Sequence, residues 1–264
     1  MRQREMRIDS HATAAARPNT STLKLATYNV LFQTSPEQTK ADLKKLMADN
    51  GVIHLQEFDA KHHQLLPWIR QQGWGVVLPK GSAEPVLFDK SRYDLLDSGA
   101  KKLNDPVQLP GRGHYPARHA VWARLKDKKT GADFTSISVH TIAHDLGPKK
   151  TPRFDAIKRQ QFKELTQLAD KFDAKGPVLI GGDLNAQPGR KIWPAKQLRQ
   201  AGLVSNWTEL GMKGEPGTHG KNHIDNVLTE KDQRKALKLE KQHVVRGLHS
   251  DHRALEVRYR LKDS

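Results

Sequence analysis

Residues 177–188 read Pro-Val-Leu-Ile-Gly-Gly-Asp-Leu-Asn-Ala-Gln-Pro. The apolar run at the start of this stretch predicts a buried strand. The carboxylate of Asp183 and the amide of Asn185 follow where that strand ends. Because strand tips lie on a rigid edge of a sheet, they often carry binding or catalytic groups. We therefore expect both a core strand and part of a functional site here.

A second segment has a similar arrangement at the start of a strand. Residues 249–252 read His-Ser-Asp-His, and the alternating stretch 254–259 follows them. Together the two segments supply carboxylates, an amide and imidazoles, which can hold a hard metal ion and activate water. A single Asn or Asp at a strand end is more often a turn former or a helix cap, so the prediction depends on the whole set.

The composition favours a polyanionic partner. The 264 residues include 45 Lys and Arg against 29 Asp and Glu, a net charge of +16. A charge of this sign and size favours nucleic acid first and an anionic membrane surface second, although it can also serve solubility alone. The absence of cysteine excludes disulfides and thiolate zinc sites. An aromatic content of 6% favours contact with a phosphate backbone over base stacking.

The N-terminal segment is expected to lie outside the folded domain. Residues 1–21 are rich in Arg and Ala, which predicts a disordered basic tail. They lack the apolar core of a secretion signal, so a cytoplasmic protein is favoured over a secreted one. No apolar run reaches the roughly 18 residues that a transmembrane helix needs. Residues 22–262 are assigned to one domain.

Strand and helix patterns alternate along this domain, which predicts an α/β fold. The predicted strands are 23–30, 52–56, 74–78, 85–88, 93–96, 119–125, 134–140, 178–182, 223–228 and 253–261, and the predicted helices are 36–50, 61–72 and 153–172. Polar residues recur where strands begin or end: Asn29, Glu57, His140, Asp183, Asn185, Asp225, Asp251 and His252. One sheet edge is therefore expected to gather them.

Six short motifs carry a resemblance to a known family. In chain order they are residues 27–30, 55–57, 138–140, 182–185, 224–225 and 250–252. Each is weak alone, but their order and their adjoining strands resemble the endonuclease/exonuclease/phosphatase superfamily, and its deoxyribonuclease I-like members in particular. The resemblance implies a four-layer α/β sandwich, in which two packed mixed β-sheets are flanked by helices and the site lies at one rim.

The resemblance also implies a metal site. Glu57 would be the principal ligand of Mg²⁺, with Mn²⁺ as the alternative, and Asn29 and Asp251 would lie nearby. Oxygen ligands of this kind suit Mg²⁺, which keeps its other positions for water and phosphate. Asp183 and Asn185 would position the nucleophile and the scissile phosphate.

Two imidazoles receive roles in the same way. His252 would be the general base, with Asp225 accepting its other ring N–H. His140 would stabilise charge or act as general acid, and it needs a carboxylate partner to stay protonated near neutral pH. Glu84 matches the position where deoxyribonuclease I-like members keep that partner, although a Glu before a Pro is also ordinary surface. The other histidines, His54 and His219 among them, show no ligand spacing, and zinc at His249 and His252 is disfavoured.

Basic residues next to these motifs are expected to contact phosphates. Arg118 precedes a central strand, and Lys149, Lys150, Arg153 and Lys158 follow His140. They suit a duplex backbone, although the helix could simply have a solvated basic face. A second basic group, Lys231, Arg234, Lys235, Lys238 and Lys241, follows Asp225.

These observations predict a monomeric Mg²⁺-dependent phosphodiesterase that hydrolyses nucleic acid, DNA before RNA. A non-specific DNA endonuclease is expected, with metal-activated water as the nucleophile. One alternative is a phosphatase or phosphodiesterase of phosphoinositide or sphingolipid head groups, acting by peripheral membrane contact. Another is a non-catalytic nucleic-acid-binding protein.

Overall fold

The structure of the chain is a computed structural model that describes residues 20–109, 113–143 and 152–262. Most of the predicted tail, together with Lys149 and Lys150, lies outside these ranges. The first strand already begins at Thr20, so the tail was predicted to extend two residues too far. Among the described residues, no helix combines the length and the apolar character needed to cross a bilayer.

The described ranges contain two six-stranded sheets, a short hairpin and five α-helices. The strands are β1 (Thr20–Asn29), β2 (Val52–Gln56), β3 (Trp74–Val77), β4 (Val86–Asp89), β5 (Tyr93–Asn104), β6 (Val107–Leu109), β7 (Gly113–Tyr115), β8 (Arg118–Asp127), β9 (Asp133–His140), β10 (Val178–Asp183), β11 (Leu203–Ser205), β12 (Asp225–Glu230), β13 (Leu237–Val245) and β14 (Ala254–Lys262). The α-helices are α1 (Pro36–Asp49), α2 (Leu66–Gln71), α3 (Pro152–Asp173), α4 (Ala195–Gln200) and α5 (Asn206–Leu210), and Ala60–Leu65 and Asp232–Lys235 form 3-10 turns.

The first sheet has the strand order β13-β14-β1-β2-β4-β3. Strands β1 and β2 are parallel neighbours, and Asn29 is opposite Gln56 in their register. Parallel strands end at the same edge of a sheet. Asn29 and Glu57, the residue after β2, are therefore brought to one rim.

The second sheet has the order β11-β12-β10-β9-β8-β5. Strand β10 is parallel to β9 and antiparallel to β12. In this register Asp183 is opposite His140 on one side and opposite Asp225 on the other. The pairing alone therefore places three of the predicted site residues in one row at the sheet edge.

The two sheets pack face to face, and a polar seam runs through their interface. His54 is fully buried there, with its Nε2 2.7 Å from the Ser136 hydroxyl of the other sheet. Gln56 donates to Ser138 at 3.4 Å across the same interface. Gly181 has no room for a Cβ because the His54 ring lies against it. Thus His54 is a core residue, as its lack of ligand spacing indicated.

Helices cover the outer faces. Helix α1 buries Leu43 and Leu46 against the first sheet, and its N-terminus is closed by a capping box in which the Ser35 hydroxyl accepts the Gln38 N–H. Helix α3 buries Phe162 and Leu165 against the second sheet. The predicted four-layer sandwich of two mixed sheets flanked by helices is confirmed.

The short elements β6, β7, β11, α4 and α5 were not predicted, and three longer segments also differ from the sequence prediction. Strand β5 runs through 93–104, although only 93–96 was expected to be extended. Strand β13 was not predicted, and it carries part of the second basic group. The helix predicted at 61–72 is a 3-10 turn followed by the short α2.

Candidate active site at the sheet rim

The two sheets are joined at the rim by one amide. Asn29 Nδ2 donates to Glu57 Oε1 at 3.2 Å and to Asp183 Oδ2 at 3.1 Å. Asn29 is buried and ends a strand of the first sheet, whereas Asp183 ends a strand of the second. The amide therefore gathers two carboxylates that are distant in sequence.

Glu57 is held in a strained conformation that aims its carboxylate at this rim. Its φ is 58°, in the left-handed region, which costs a non-glycine residue about 1–3 kcal/mol. The Phe32 N–H donates to Glu57 Oε2 at 3.0 Å, and Leu31 also has a positive φ, of 60°. Backbone strain of this kind persists where the surrounding contacts fix it, as these hydrogen bonds do.

The residues at this point fit a hard divalent cation. Glu57 and Asp183 present carboxylate oxygens on the two sides of Asn29, and oxygen donors are what Mg²⁺ selects. The loop that carries Asp251 is tied to the same place, because the Ser250 hydroxyl donates to the Asn29 carbonyl at 2.7 Å. The Asp251 side chain itself is half-exposed, and its Oδ2 lies 3.4 Å from His219 Nε2.

His252 is oriented by a buried carboxylate. Its Nδ1 is 2.9 Å from Asp225 Oδ2, the contact that the resemblance implies. Asp225 is fully buried, and its backbone is fixed by the Thr218 hydroxyl and the Trp207 indole. An ionised carboxylate only accepts, so Nδ1 carries the proton and Nε2 faces Asp183 Oδ2 at 3.7 Å.

The carboxylates around His252 determine whether its imidazole is protonated. Burial disfavours the charged imidazole, but the Asp225 carboxylate and then Asp183 outweigh it and raise the pKa of His252 to about 10. Burial and the neighbouring Asp225 raise the pKa of Asp183 to about 6. The imidazole therefore holds a proton at neutral pH unless a cation beside the carboxylates offsets their charge.

His140 is neutral, which corrects the expected protonated form. Its Nδ1 lies 3.1 Å from Arg118 Nη1, and a guanidinium only donates, so Nδ1 is an acceptor. The ring proton is then on Nε2, which faces Asp183 Oδ2 at 3.4 Å. Burial, and then the charges of Arg118, His252 and Lys158, lower the pKa of His140 well below its usual value.

Glu84 is not the partner of this imidazole. Arg118 occupies the Nδ1 position, and Glu84 is buried near that guanidinium, with its Oε2 accepting the Ala83 N–H at 2.9 Å. Burial raises the pKa of Glu84 to about 7, and the charge of Arg118 opposes the rise. The guanidinium is half-buried and hydrogen-bonded to His140, and its expected contact with phosphate stays a prediction.

Asn185 follows Asp183 in a tight turn. Its φ is 44°, and its N–H donates to Asp183 Oδ1 at 2.8 Å. Its side-chain nitrogen donates to the Thr141 carbonyl at 3.0 Å and lies 3.2 Å from His140 Nε2. The amide is thereby placed beside His140, at the floor of the site.

Lys158 supports this turn from below and is not on the surface. It is buried, and its Nζ donates to the Asn185 carbonyl at 2.6 Å and to the Ile142 carbonyl at 3.2 Å. Burial lowers the pKa of this ammonium to about 7. The expected phosphate contact of Lys158 is therefore corrected. The side chain of Arg153 lies outside the described part of the chain.

Two groups near the site have no signal in the sequence. The His219 ring lies 4.6 Å from the His252 ring, centroid to centroid. The buried side chains of Tyr28 and Asp42 and the partly exposed His249 anchor the loop before Asp251, with Tyr28 Oη 2.6 Å and His249 Nδ1 2.8 Å from the Asp42 carboxylate. Each group joins segments far apart in the chain, so local spacing does not reveal it.

Neither a family model nor a curated protein sequence matches the chain. Solved structures match it over about nine-tenths of its length. An endonuclease/exonuclease/phosphatase of Bacteroides vulgatus superposes with a TM-score of 0.70 at 16% identity, covering 91% of this chain and 99% of its own. The human Nocturnin catalytic domain gives 0.70 at 20% identity, covering 92% and 97%.

A third solved structure is D. rerio TDP2 complexed with single-strand DNA product, with a TM-score of 0.62 at 14% identity, covering 90% of this chain and 99% of that one. At these identities the similarity concerns the fold. The chain has the endonuclease/exonuclease/phosphatase fold, as its six motifs indicated.

Proposed function

We propose that the chain is a divalent-metal-dependent phosphoesterase, and more specifically a nuclease that cleaves DNA without reading its sequence. The observation that carries the proposal is the Asp225–His252–Asp183 group beside Asn29 and Glu57. It combines an oriented imidazole with oxygen ligands at one rim, and these are the groups that metal-assisted hydrolysis requires.

The metal would be held by Glu57, Asn29 and Asp251. Bound there, Mg²⁺ or Mn²⁺ would supply Lewis acidity to a phosphate oxygen and lower the pKa of the attacking water. Glu57 fits this part best, because its carboxylate is partly exposed and its backbone strain fixes the direction in which it points.

Different side chains would accept the proton and stabilise the developing charge. His252 Nε2 accepts the proton of the attacking water, while Asp225 keeps the other ring proton on Nδ1. His140, as a neutral imidazole, offers its Nε2–H, and Asn185 offers its side-chain amide beside it. These donors would stabilise the negative charge that develops on the phosphoryl oxygens.

Nucleic acid is favoured as substrate by charge and by one structural relative. The chain carries a net charge of +16, which attracts a polyanion. The TDP2 structure described above contains single-strand DNA product. A phosphomonoesterase is the second candidate, because a mannosyl-6-phosphatase of Bacteroides thetaiotaomicron has the same fold, with a TM-score of 0.64 at 17% identity.

A substrate panel tests the proposal. Purified protein is incubated with supercoiled plasmid, linear duplex, single-stranded DNA, RNA, mannose 6-phosphate and phosphoinositide vesicles, each with Mg²⁺ or with EDTA. We expect plasmid nicking that requires Mg²⁺ and is lost in the His252→Ala variant. If phosphate were released from mannose 6-phosphate and no nucleic acid were cleaved, the phosphomonoesterase would replace the nuclease as the proposed function. Hydrolysis that persists in EDTA would contradict both proposals.

A further inference from the structure

A second group of donor atoms lies on the solvent side of His252. The side chains of His219, Asp251 and His252 each present one donor atom, and these atoms all lie within 4.8 Å of one another. His219 Nε2 and Asp251 Oδ2 are 3.4 Å apart. This donor set contains two imidazole nitrogens and one carboxylate oxygen, whereas the donors around Asn29 are oxygens.

The position of His219 is fixed by its backbone. Its N–H donates to the Asn222 carbonyl at 3.0 Å, and the Asn222 N–H donates back to the His219 carbonyl at 2.9 Å. The Arg253 N–H donates to the Thr218 carbonyl at 2.7 Å, which joins this turn to the loop that carries His252. The two rings are consequently held 4.6 Å apart, with an interplanar angle of 32°.

His252 also has the hydrogen bond that metal-binding imidazoles usually make. Asp225 holds its Nδ1 proton at 2.9 Å, which fixes the direction of the ring and makes Nε2 the nitrogen that binds an ion in exchange for its proton. Carboxylate–imidazole pairs of this kind orient metal ligands in many proteins. His219 and Asp251 are 42% and 52% exposed, so an ion has a path from solvent and an open side for water.

We infer that His219, Asp251 and His252 form a binding site for Zn²⁺ or a similar transition-metal ion. Nitrogen donors favour zinc-class ions over Mg²⁺. Zinc–nitrogen bonds of about 2.0–2.1 Å in tetrahedral geometry place neighbouring donors about 3.4 Å apart, which the His219–Asp251 pair already satisfies. The donor atom of His252 lies within 4.8 Å of both, and rotation of the exposed His219 and Asp251 side chains brings them toward it.

Occupation of this site inhibits hydrolysis. An ion bound to His252 Nε2 occupies the lone pair that accepts the proton of water, and it also takes Asp251 from the Mg²⁺ site. This regulatory role rests on the proposed function, whereas binding of the ion does not. Mg²⁺ at saturating concentration fills the oxygen site and competes for Asp251 only, so the two imidazole nitrogens remain the donors that distinguish the second site.

Binding is tested with Co²⁺, whose visible absorption is strong when it is tetrahedral, in excess Mg²⁺. The variants are His219→Gln and, as a matched control, His243→Gln, because His243 is also an exposed imidazole near a carboxylate, 3.8 Å from Glu215. We expect the bands in the wild type and in the control, and at least about tenfold weaker binding in His219→Gln, since outer-shell changes already cost 10–100-fold. Equal binding in all three proteins, or none in the wild type, overturns the site.

Inhibition is tested by adding Zn²⁺ to the Mg²⁺-dependent plasmid assay, with each variant normalised to its own rate without Zn²⁺. We expect half-inhibition to need at least about tenfold more Zn²⁺ in His219→Gln than in His243→Gln, in line with the loss of affinity. Equal sensitivity would overturn the inhibitory role. Intact Co²⁺ binding in a protein that hydrolyses nothing would contradict the proposed function and leave the metal site standing.

Discussion

His252 is the residue on which the proposed chemistry depends most, because its Nε2 is the only proposed proton acceptor. A positioned proton-transfer group contributes roughly 10²–10⁴ in rate. We expect His252→Ala to reduce kcat by at least about a hundredfold while the circular dichroism spectrum and DNA affinity stay nearly unchanged. Near-full activity in this variant, or loss only through unfolding, would contradict the mechanism.

Asp225 acts through His252, so its substitution has a distinct signature. Asp225→Asn should be milder than His252→Ala, and the double variant should be little worse than His252→Ala alone, as for residues that act as a unit. The Asp225 charge raises the pKa of His252. Its removal lowers that pKa, so the limb where activity rises with pH should move to lower pH. An unmoved pH profile would assign Asp225 to structure alone.

Substitution of Glu57 distinguishes a role in metal binding from a role in folding. Glu57→Gln keeps the shape of the side chain and the acceptor for the Phe32 N–H, but it removes a charge from the proposed ligand. We expect the largest loss of activity at low Mg²⁺, with partial recovery as Mg²⁺ is raised. Equal loss at every Mg²⁺ concentration would give Glu57 another role, and thermal unfolding of the variant controls for stability.

At the same scale, the sequence predicted some side-chain partners and not others. Asp225 and His252 are together because strand tips from two sheets meet at one rim, and the motif order implied this. The Arg118–His140 contact was not predictable, because it depends on which side chain of strand β8 reaches the end of β9. Lys158 was expected to contact phosphate from a basic surface, yet it occupies a buried position on its helix.

At the scale of elements, strands with continuous apolar runs were the most predictable. Strands β2 and β10 are buried on both faces, and the apolar residues at their starts, 52–53 and 178–180, mark them in the sequence. Strands β5 and β13 lie at sheet edges, where charged side chains alternate with few apolar ones. Their extended form comes from pairing with β8 and β14, which no local pattern reports.

The seam between the sheets predicts a pH dependence of stability. Burial lowers the pKa of His54 to about 3, against the ordinary value of about 6.5 in the unfolded chain. Below the unfolded value the unfolded state binds a proton that the folded state does not. The stability present above pH 6.5 is therefore lost as pH falls, by up to about 1.4 kcal/mol per pH unit for one such group.

His54→Gln measures this contribution, because it keeps a hydrogen-bonding group near Ser136 and cannot titrate. Urea unfolding at several pH values between neutral and acidic gives the free energy of unfolding as a function of pH. We expect this free energy to fall less steeply with decreasing pH in the variant, by the slope that corresponds to about one bound proton. His62 and His140 also have lowered pKa values, so the wild type keeps a slope of its own. If the free energy of unfolding depended on pH equally in the two proteins, His54 would be protonated or exposed in the folded state.

At the scale of the whole molecule, the net charge of +16 favours a polyanionic partner. Lys158 is buried inside the site and is not available to a phosphate backbone, whereas the contact of Arg118 with phosphate stays a prediction. We expect the second basic group to contribute phosphate contacts, since Arg234 and Lys238 are on the surface beyond Asp225. The net charge of +16 is thus spread over the molecule and is not concentrated on the residues first expected to bind phosphate.

Such a distribution predicts weak sequence preference and a steep dependence of DNA affinity on salt. Each phosphate neutralised by Lys or Arg contributes a slope of about −0.9 in a plot of log K against log salt concentration for duplex DNA. We expect His252→Ala protein, which binds without cleaving, to give the same steep slope on unrelated duplexes. Fluorescence anisotropy between low and moderate salt measures it, with anionic vesicles as the comparison. A flat dependence on DNA together with tight vesicle binding would assign the charge to a membrane surface and favour a lipid head group as substrate.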